Sequence, residues 1–433
     1  MPTPTSRGCA PRRSSDLVVE LDAAALDLAR YVRPGDTVVV AQASSEPLTL
    51  AEALVAQADR LGAITVFIGA HWSDTFAPDK APGFRYAGYG ALGTNARLAR
   101  AGRLDVVPCH YSQLPWLFES GTWRADVVLL GLSPAADGAM TLGPSHGYAL
   151  AAARRARTVI AEVNDRMPWV HGAALPAGLR IDAAVRTSRP LPIYPAARVG
   201  EVERQVAVRV AALVPEGATI QLGVGTLPDA VLEALAGHRD LGVHSGMLTG
   251  AVLPLLESGA VTNARKPIDR GVTVTGLLIG GEELYAHAHR NPRLRLAAPD
   301  YTHATAVLAQ LPDFVSVNSA VEVDLLGRVN AEVAGGAYVG GVGGAMDFIR
   351  GAAAAPHGRA VIALPSVSRD GKTSRIVASC ATVTTPAADA DLVVTEWGVA
   401  SLRGIDYAER ARRLAAIAHP DHRAALESRH NRP

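Results

Sequence analysis

The sequence predicts an α/β protein of two tandem, related domains with mostly parallel sheets. Three observations predict it. The segment from Arg33 to Leu54 recurs, with equal internal spacing, at Val214 to Leu235. Strand-length apolar runs alternate with amphipathic stretches along most of the chain, as in parallel strands joined by helical crossovers. The composition turns Pro-rich at R-P-L-P-I-Y-P-A-A-R, from Arg189 to Arg198, as a linker would. The expected organisation is a disordered extension at 1–16, an N-terminal domain at 17–190, a linker at 191–200 and a C-terminal domain at 201–433.

The elements follow in order. A helix is expected from Ala23 to Val32, leading into the first copy of the repeat. Each copy is a Pro/Gly turn, a strand (Thr37 to Val40, Thr219 to Leu222), a loop of small residues and a helix with Pro47 or Pro228 in its first turn. Further strands are expected at Ile64 to Gly69, Val106 to Pro108, Val127 to Gly131 and Thr158 to Val163, with helices at Asn95 to Ala101 and Tyr148 to Arg157. The second half opens with a helix from Glu201 to Leu213. The correspondence then continues: Val127–Leu130 and Thr158–Ala161 have counterparts in Ser316–Asn318 and Ala360–Ala363.

The copies differ in their loops. The first carries Ala43-Ser44-Ser45-Glu46, the second Gly223-Val224-Gly225, and a second glycine loop from Gly340 to Gly344 precedes a helix at Ala345 to Ala353. Small residues let backbone approach a ligand closely, and amides at a helix N-terminus favour anionic groups such as a pyrophosphate.

The whole chain excludes several classes. A net charge of +1 over 433 residues lacks the electrostatic footprint of nucleic-acid binding. Cys9, Cys109 and Cys380 have no C-x-x-C spacing, which points away from a disulfide framework or zinc ribbon and towards the cytoplasm. No apolar run reaches membrane-spanning length, and residues 1–16 lack the apolar stretch of a signal peptide.

Gly143-Pro144-Ser145-His146-Gly147 matches the G-x-S-x-G nucleophile elbow, so a serine hydrolase using Ser145 is one alternative. His287 and His289 lie two apart in a helical stretch, point in different directions and read as surface histidines, so no metal is expected. Neither glycine loop follows the Rossmann or Walker pattern. Carboxylates in likely functional loops are Glu46, Glu322, Asp324 and Glu332. Glu322 and Asp324 would share one strand face, and Glu46 would sit opposite the second-half glycine loop if the halves pair.

P-G-D-x-V-V-V with S-S-E-P, V-I-A-E-V-N-D-R-M-P, I-Q-L-G-V-G-T-L-P, S-V-N-S-A-V-E-V-D-L-L-G, G-V-G-G-A-M-D-F-I-R-G and V-V-T-E-W-G-V-A-S-L-R-G together resemble the acetyl-CoA hydrolase/transferase family, from about Leu26 to Leu426. The resemblance implies two CoA-transferase-type (NagB/RpiA-like) domains with the active site in the cleft between them, coenzyme A as substrate or product held mainly by the second domain, and a homodimer. It implies that Gln221, Leu222, Gly223, Val224 and Gly225 contact CoA. Gly340, Gly343 and Gly344 would lie along the thioester and acyl group, with loop amides as oxyanion donors.

One position departs from the family pattern. Transferases of the family carry H-T-E-M-F-S-D, whose glutamate attacks the thioester and becomes a glutamyl-CoA. Here the segment is His244-Ser245-Gly246-Met247-Leu248-Thr249-Gly250, so the glutamate falls on Gly246 and the aspartate on Gly250. Glycine forms no anhydride, and the lost side chain is expected to leave room for water or another acceptor. The first expectation is therefore acyl-CoA thioester cleavage without a glutamyl-CoA intermediate, by hydrolysis or by transfer to a non-standard acceptor. The alternatives are conventional transfer to a carboxylate through a substitute carboxyl, and acyl-CoA binding without turnover. His244, Ser245 and Glu46 are candidate replacement groups. The loop at Ser379-Cys380 is also shorter than the family pattern.

Overall fold

A computed structural model describes residues 18–194 and 198–430; the extension expected at 1–16 and residues 195–197 of the linker lie outside them. In the first half, β1 (Val19–Leu21), β2 (Thr37–Val40), β3 (Thr65–Phe67), β4 (Arg85–Gly88), β5 (Leu104–Val106), β6 (Val127–Leu132), β7 (Thr158–Asn164) and β8 (Ala183–Thr187) form one sheet. Its order is β1-β8-β7-β6-β2-β3-β4-β5, and every neighbouring pair is parallel. The run Thr37-Val38-Val39-Val40 suits its central place because all four residues are buried.

The second half forms a sheet from β9 (Thr219–Leu222), β10 (Gly242–Thr249), β11 (Thr273–Ile279), β12 (Leu294–Leu296), β13 (Phe314–Ser319), β14 (Arg359–Ala363), β15 (Leu392–Thr395) and β16 (Gly398–Ser401). The order is β12-β11-β10-β9-β13-β14-β15-β16, with only the last pair antiparallel. Aligned on β2 and β9, the sheets run the same course. The next three strands in sequence extend to one side (β3 to β5; β10 to β12), and the following three to the other (β6 to β8; β13 to β15). The repeat thus reaches well beyond its 22-residue core, and each sheet reverses direction beside the repeated strand. Such a reversal opens a crevice at the carboxyl ends of the strands.

Four helices position this crevice: α1 (Leu48–Ala56), α2 (Glu201–Ala211), α3 (Thr226–Ala234) and α4 (Ala345–Ala354). α2 is amphipathic and buries Val206, Ala207 and Val210 while packing on α3. α4 buries Met346, Phe348 and Ile349 and lies against β13 and β14. Apolar residues of both halves, such as Val128, Leu130, Ile220 and Leu222, belong to one continuous core.

Two expected elements differ. Ala23 to Val32 forms two 3₁₀ turns, Ala23–Ala25 and Leu28–Arg30. The Asp22 side chain accepts from the Ala24 amide, while Gln57 bonds both the Leu28 amide and the Leu26 carbonyl, taking up backbone groups that a continuous helix needs. The strand expected at Val106 to Pro108 ends at Val106, because Pro108 has no N–H to continue a ladder.

Candidate active site

The crevice beside β9 holds a cavity of about 80 Å³. Gln221, Leu222 and Gly223 line it from the end of β9, Gly246 and Met247 from β10, and Asn318 from β13. Gly343, Gly344 and Ala345 contribute the start of α4, and Tyr89 and Tyr111 reach in from the first half. Gln221, Leu222, Gly223, Gly246, Gly343 and Gly344, far apart in sequence, therefore meet in one place. Val224, Gly225 and Gly340 do not line the cavity. Gly225 has φ +123°, a conformation that L side chains rarely adopt, directly before α3.

The first half fixes the second glycine loop. The Ala91 amide donates to the Gly340 carbonyl (2.8 Å) and the Tyr111 amide to the Gly343 carbonyl (2.9 Å). The Ser112 hydroxyl donates to Asp347 Oδ1 at 2.7 Å, tying down the first turn of α4. A Cβ at Gly340 would lie 2.3 Å from the Ala331 carbonyl oxygen, and one at Gly341 2.7 Å from that of Tyr89. These glycines permit close backbone packing, and Gly340 serves as an anchor rather than as part of the cavity wall.

His303 closes the site beside Gly246. It follows the short helix Pro299–Thr302 and is 4% exposed. Its ring lies 4.5 Å from Phe348 and 4.9 Å from Tyr111, centroid to centroid. Nδ1 is 2.7 Å from the Thr302 hydroxyl, whereas Nε2 has no hydrogen-bond partner among the described residues, and the side chain lines the cavity. A Cβ at Gly246 would stand 2.8 Å from Nε2, and one at Gly344 2.5 Å from it. The room expected beside Gly246 is therefore occupied by an imidazole. Burial, reinforced by nearby His244, pushes the His303 pKa down to about 3, so the ring is neutral at physiological pH. Nothing in a lone histidine after a Pro-opened turn signalled this placement.

The other candidate groups lie elsewhere. Glu46 is buried in the first half, where Ser73 donates to its Oε1 at 2.7 Å. Its loop packs on β11, with Ser44 Oγ donating to the Leu278 carbonyl, instead of facing Gly223 to Gly225. Burial raises the Glu46 pKa. His244 directs Nε2 to the Thr302 carbonyl (3.1 Å), and Ser245 Oγ donates to the carbonyls of Leu222 and Met247; neither lines the cavity. Asp324 accepts from the amides of Leu326, Arg328 and Cys380 and from the Arg328 guanidinium, a structural anchor. Glu322 accepts from Asn330 and Glu332 from Thr384.

Ser145 does not sit at an exposed elbow. The segment from Pro144 to His146 pairs antiparallel with β11: the His146 amide donates to the Gly276 carbonyl and the Leu278 amide to the Pro144 carbonyl. Ser145 is buried in this seam, and no histidine bonds its hydroxyl among the described residues. Its local sequence serves contact between the halves. Also among the described residues, no cluster of three or more His, Cys, Asp or Glu side chains is set to hold a metal ion, and no helix is long and apolar enough to cross a membrane.

Residues 22–177 match the acetyl-CoA hydrolase/transferase N-terminal domain, and residues 280–430 match the C-terminal domain of the same family. The chain belongs to the acetyl-CoA hydrolase/transferase family. It is an acyl-CoA-processing enzyme by that membership. It is 38% identical to 4-hydroxybutyrate coenzyme A transferase of Clostridium kluyveri over 90% of this chain and 92% of that one. It is 32% identical to succinyl-CoA:cyclohexane-1-carboxylate CoA transferase of Geobacter metallireducens over 93% of each. Among solved structures it resembles RipA from Yersinia pestis, with TM-score 0.86 and 32% identity over 93% of this chain and 94% of that one. CoA as substrate or product fits the family.

Proposed function

We propose that this enzyme moves CoA from an acyl-CoA to a carboxylic acid without an enzyme-bound glutamyl-CoA. Two of the relatives named above are a 4-hydroxybutyrate and a succinyl-CoA:cyclohexane-1-carboxylate CoA transferase, which favours a carboxylic acid over water or a non-standard acceptor and corrects the first expectation from sequence. The observation that carries the mechanism is the cavity wall. It contains no carboxyl side chain, and at Gly246, where we place the family glutamate, the space holds His303. Glu46, Glu322 and Glu332 are engaged away from it, so none is a substitute nucleophile in this proposal.

The acceptor acid itself then supplies the nucleophile. Its carboxylate adds to the thioester carbonyl carbon, the C–S bond breaks, and CoA leaves as thiolate from a mixed anhydride. The thiolate adds to the acceptor's carbonyl carbon, the bond to the bridging oxygen breaks, and the donor acid departs as a carboxylate. No net proton moves. The thioester carbonyl develops negative charge that the free amides opening α4 at Gly344 and Ala345 would stabilise. A cavity of about 80 Å³ suits a short acyl group. We assign CoA's pyrophosphate to the Gly223–Gly225 loop, beside a groove of about 720 Å³ bordered by Arg198, Arg369, Arg375 and Thr226. In this proposal residues 17–190 are the N-terminal domain and 201–433 the CoA-binding one.

The test follows free thiol and exchanged CoA separately for pairs of short acyl-CoAs and acids, with ¹⁸O in the acceptor acid. Direct attack gives intersecting initial-rate lines and carries label into the released donor acid in the first turnover. Parallel lines with an unlabelled first-turnover acid would mean an enzyme carboxyl after all. Thiol release without exchange would make the enzyme a hydrolase, and no reaction with any pair would refute turnover.

A further inference from the structure

His303 is the polar side chain closest to Gly246 that has a free ring atom. It is more than nine-tenths buried, unpartnered at Nε2 among the described residues, and held by Phe348 on one side and Tyr111 on another. Glycine at both 246 and 344 is what lets the ring stand there, since a Cβ at either would come within 2.8 Å of Nε2. Beside the same nitrogen, α4 begins with amides that have no intrahelical acceptor. The free ring nitrogen and these amides thus converge on one side of the cavity.

We propose that His303 is a catalytic residue that donates its Nε2–H to the thioester carbonyl oxygen, together with the amides opening α4, from the space a carboxyl side chain at residue 246 would occupy. The inference rests on the transferase proposal above. The Thr302 hydroxyl has two partners, His303 Nδ1 at 2.7 Å and the Ala298 carbonyl at 3.3 Å; in this proposal its proton goes to the nearer Nδ1, which leaves the ring proton on Nε2. As the carboxylate adds, the oxyanion forms against this N–H; as the C–S bond breaks, the carbonyl re-forms and the N–H keeps its proton. A ring with so low a proton affinity is a poor general base at neutral pH, whereas a neutral imidazole is a good fixed donor. No proton is transferred, in keeping with a reaction that needs none.

Three measurements test this. Selective ¹⁵N labelling of histidine in the wild-type protein should place the His303 proton on Nε2; a proton on Nδ1 would overturn the proposal whatever the variants do. His303→Ala should lower kcat for CoA exchange by about 10²-fold, the usual loss on removing one oxyanion donor, with KM for acyl-CoA changed by less than about threefold. His303→Gln keeps an N–H donor and should recover at least tenfold of that loss. A folded Ala variant with kcat within about threefold of wild type refutes the role. If wild-type protein exchanges no CoA with any acyl-CoA and acid, the transferase proposal fails instead, and the tautomer measurement still reports on His303 independently.

Discussion

Placing a glutamate at residue 246 should fail on its own and succeed only when His303 is removed. Gly246 lies in the extended strand β10 and its φ is not in the left-handed region, so the obstacle is steric. A Cβ there would meet His303 Nε2 at 2.8 Å, Cε1 at 2.9 Å and Phe348 Cε2 at 3.1 Å, all tighter than ordinary contact, with Cγ and the carboxyl still to be placed. The imidazole cannot swing aside easily because Gly344, Tyr111 and the Thr302 hydroxyl hold its other edges. Overpacking of this kind costs about 1–3 kcal/mol. For domains of this size that is a fall in Tm of roughly 2–12 °C.

Gly246→Glu should therefore melt earlier than wild type and yield no glutamyl-CoA on borohydride or hydroxylamine trapping. Adding His303→Ala vacates the ring's volume for the new carboxyl, so the double variant should cost about 1–3 kcal/mol less than the sum of the singles. It should also give a trappable adduct at residue 246. Thermal melts of the four proteins complete the cycle, and mass spectrometry after trapping locates the adduct. A Gly246→Glu single variant as stable as wild type, or strict additivity, would refute the steric account.

Two further outcomes follow from the same geometry. Gly225→Leu meets open space but must adopt φ +123°, at about 1–3 kcal/mol of strain, so CoA affinity in calorimetry should fall more than tenfold with the fold retained; unchanged affinity would remove this loop from the CoA site. His244 and His303 have folded pKa values depressed by burial to about 4 and about 3. Their stabilising effect is complete above the unfolded value near 6.5 and is lost as pH falls below it, because only the unfolded chain then takes up protons. Between pH 7 and pH 5 this costs about 2 kcal/mol per ring. Urea titrations should show a smaller loss in His303→Ala than in wild type, and that difference separates the ring from Glu46, Glu162, Asp229 and Asp347, whose raised pKa values act in the opposite sense. Equal pH dependence would refute the assignment.

The topology was largely legible because hydrophobic period and turn chemistry are local properties. The 22-residue repeat located β2 and β9, and the weaker match of Val127–Leu130 and Thr158–Ala161 with Ser316–Asn318 and Ala360–Ala363 anticipated that the sheets share a course. Strands such as β4 and β8 escaped notice because Arg85–Gly88 and Ala183–Thr187 are short, and small or charged residues interrupt their apolar pattern. In the site, the glycine loops were legible because backbone approach leaves a mark in composition. His303 was not, because its role depends on residues 246, 344 and 348 arriving from other strands and helices. The same blindness misplaced Glu46, whose loop turns towards β11.

The duplicated scaffold also explains why the crevice beside β9 is open. The equivalent crevice after β2 is filled by polar side chains: Gln42 Nε2 donates to the Tyr111 hydroxyl at 2.6 Å, and Tyr89 donates to Gln42 Oε1 at 2.8 Å. Tyr148 donates to the Val40 carbonyl, and Gly69 is glycine because a Cβ there would meet Gln42 and the Tyr148 ring. Burial holds the hydroxyls of Tyr89, Tyr111 and Tyr148 far above their usual pKa, so this filling stays neutral and fixed. Tyr111 is where the two crevices meet. Its hydroxyl belongs to the filled one, its amide anchors Gly343, and its ring lies against His303. One copy of the repeat has become a rigid brace for the other. The open copy can then use small residues around the cavity without losing the position of the donors that face it.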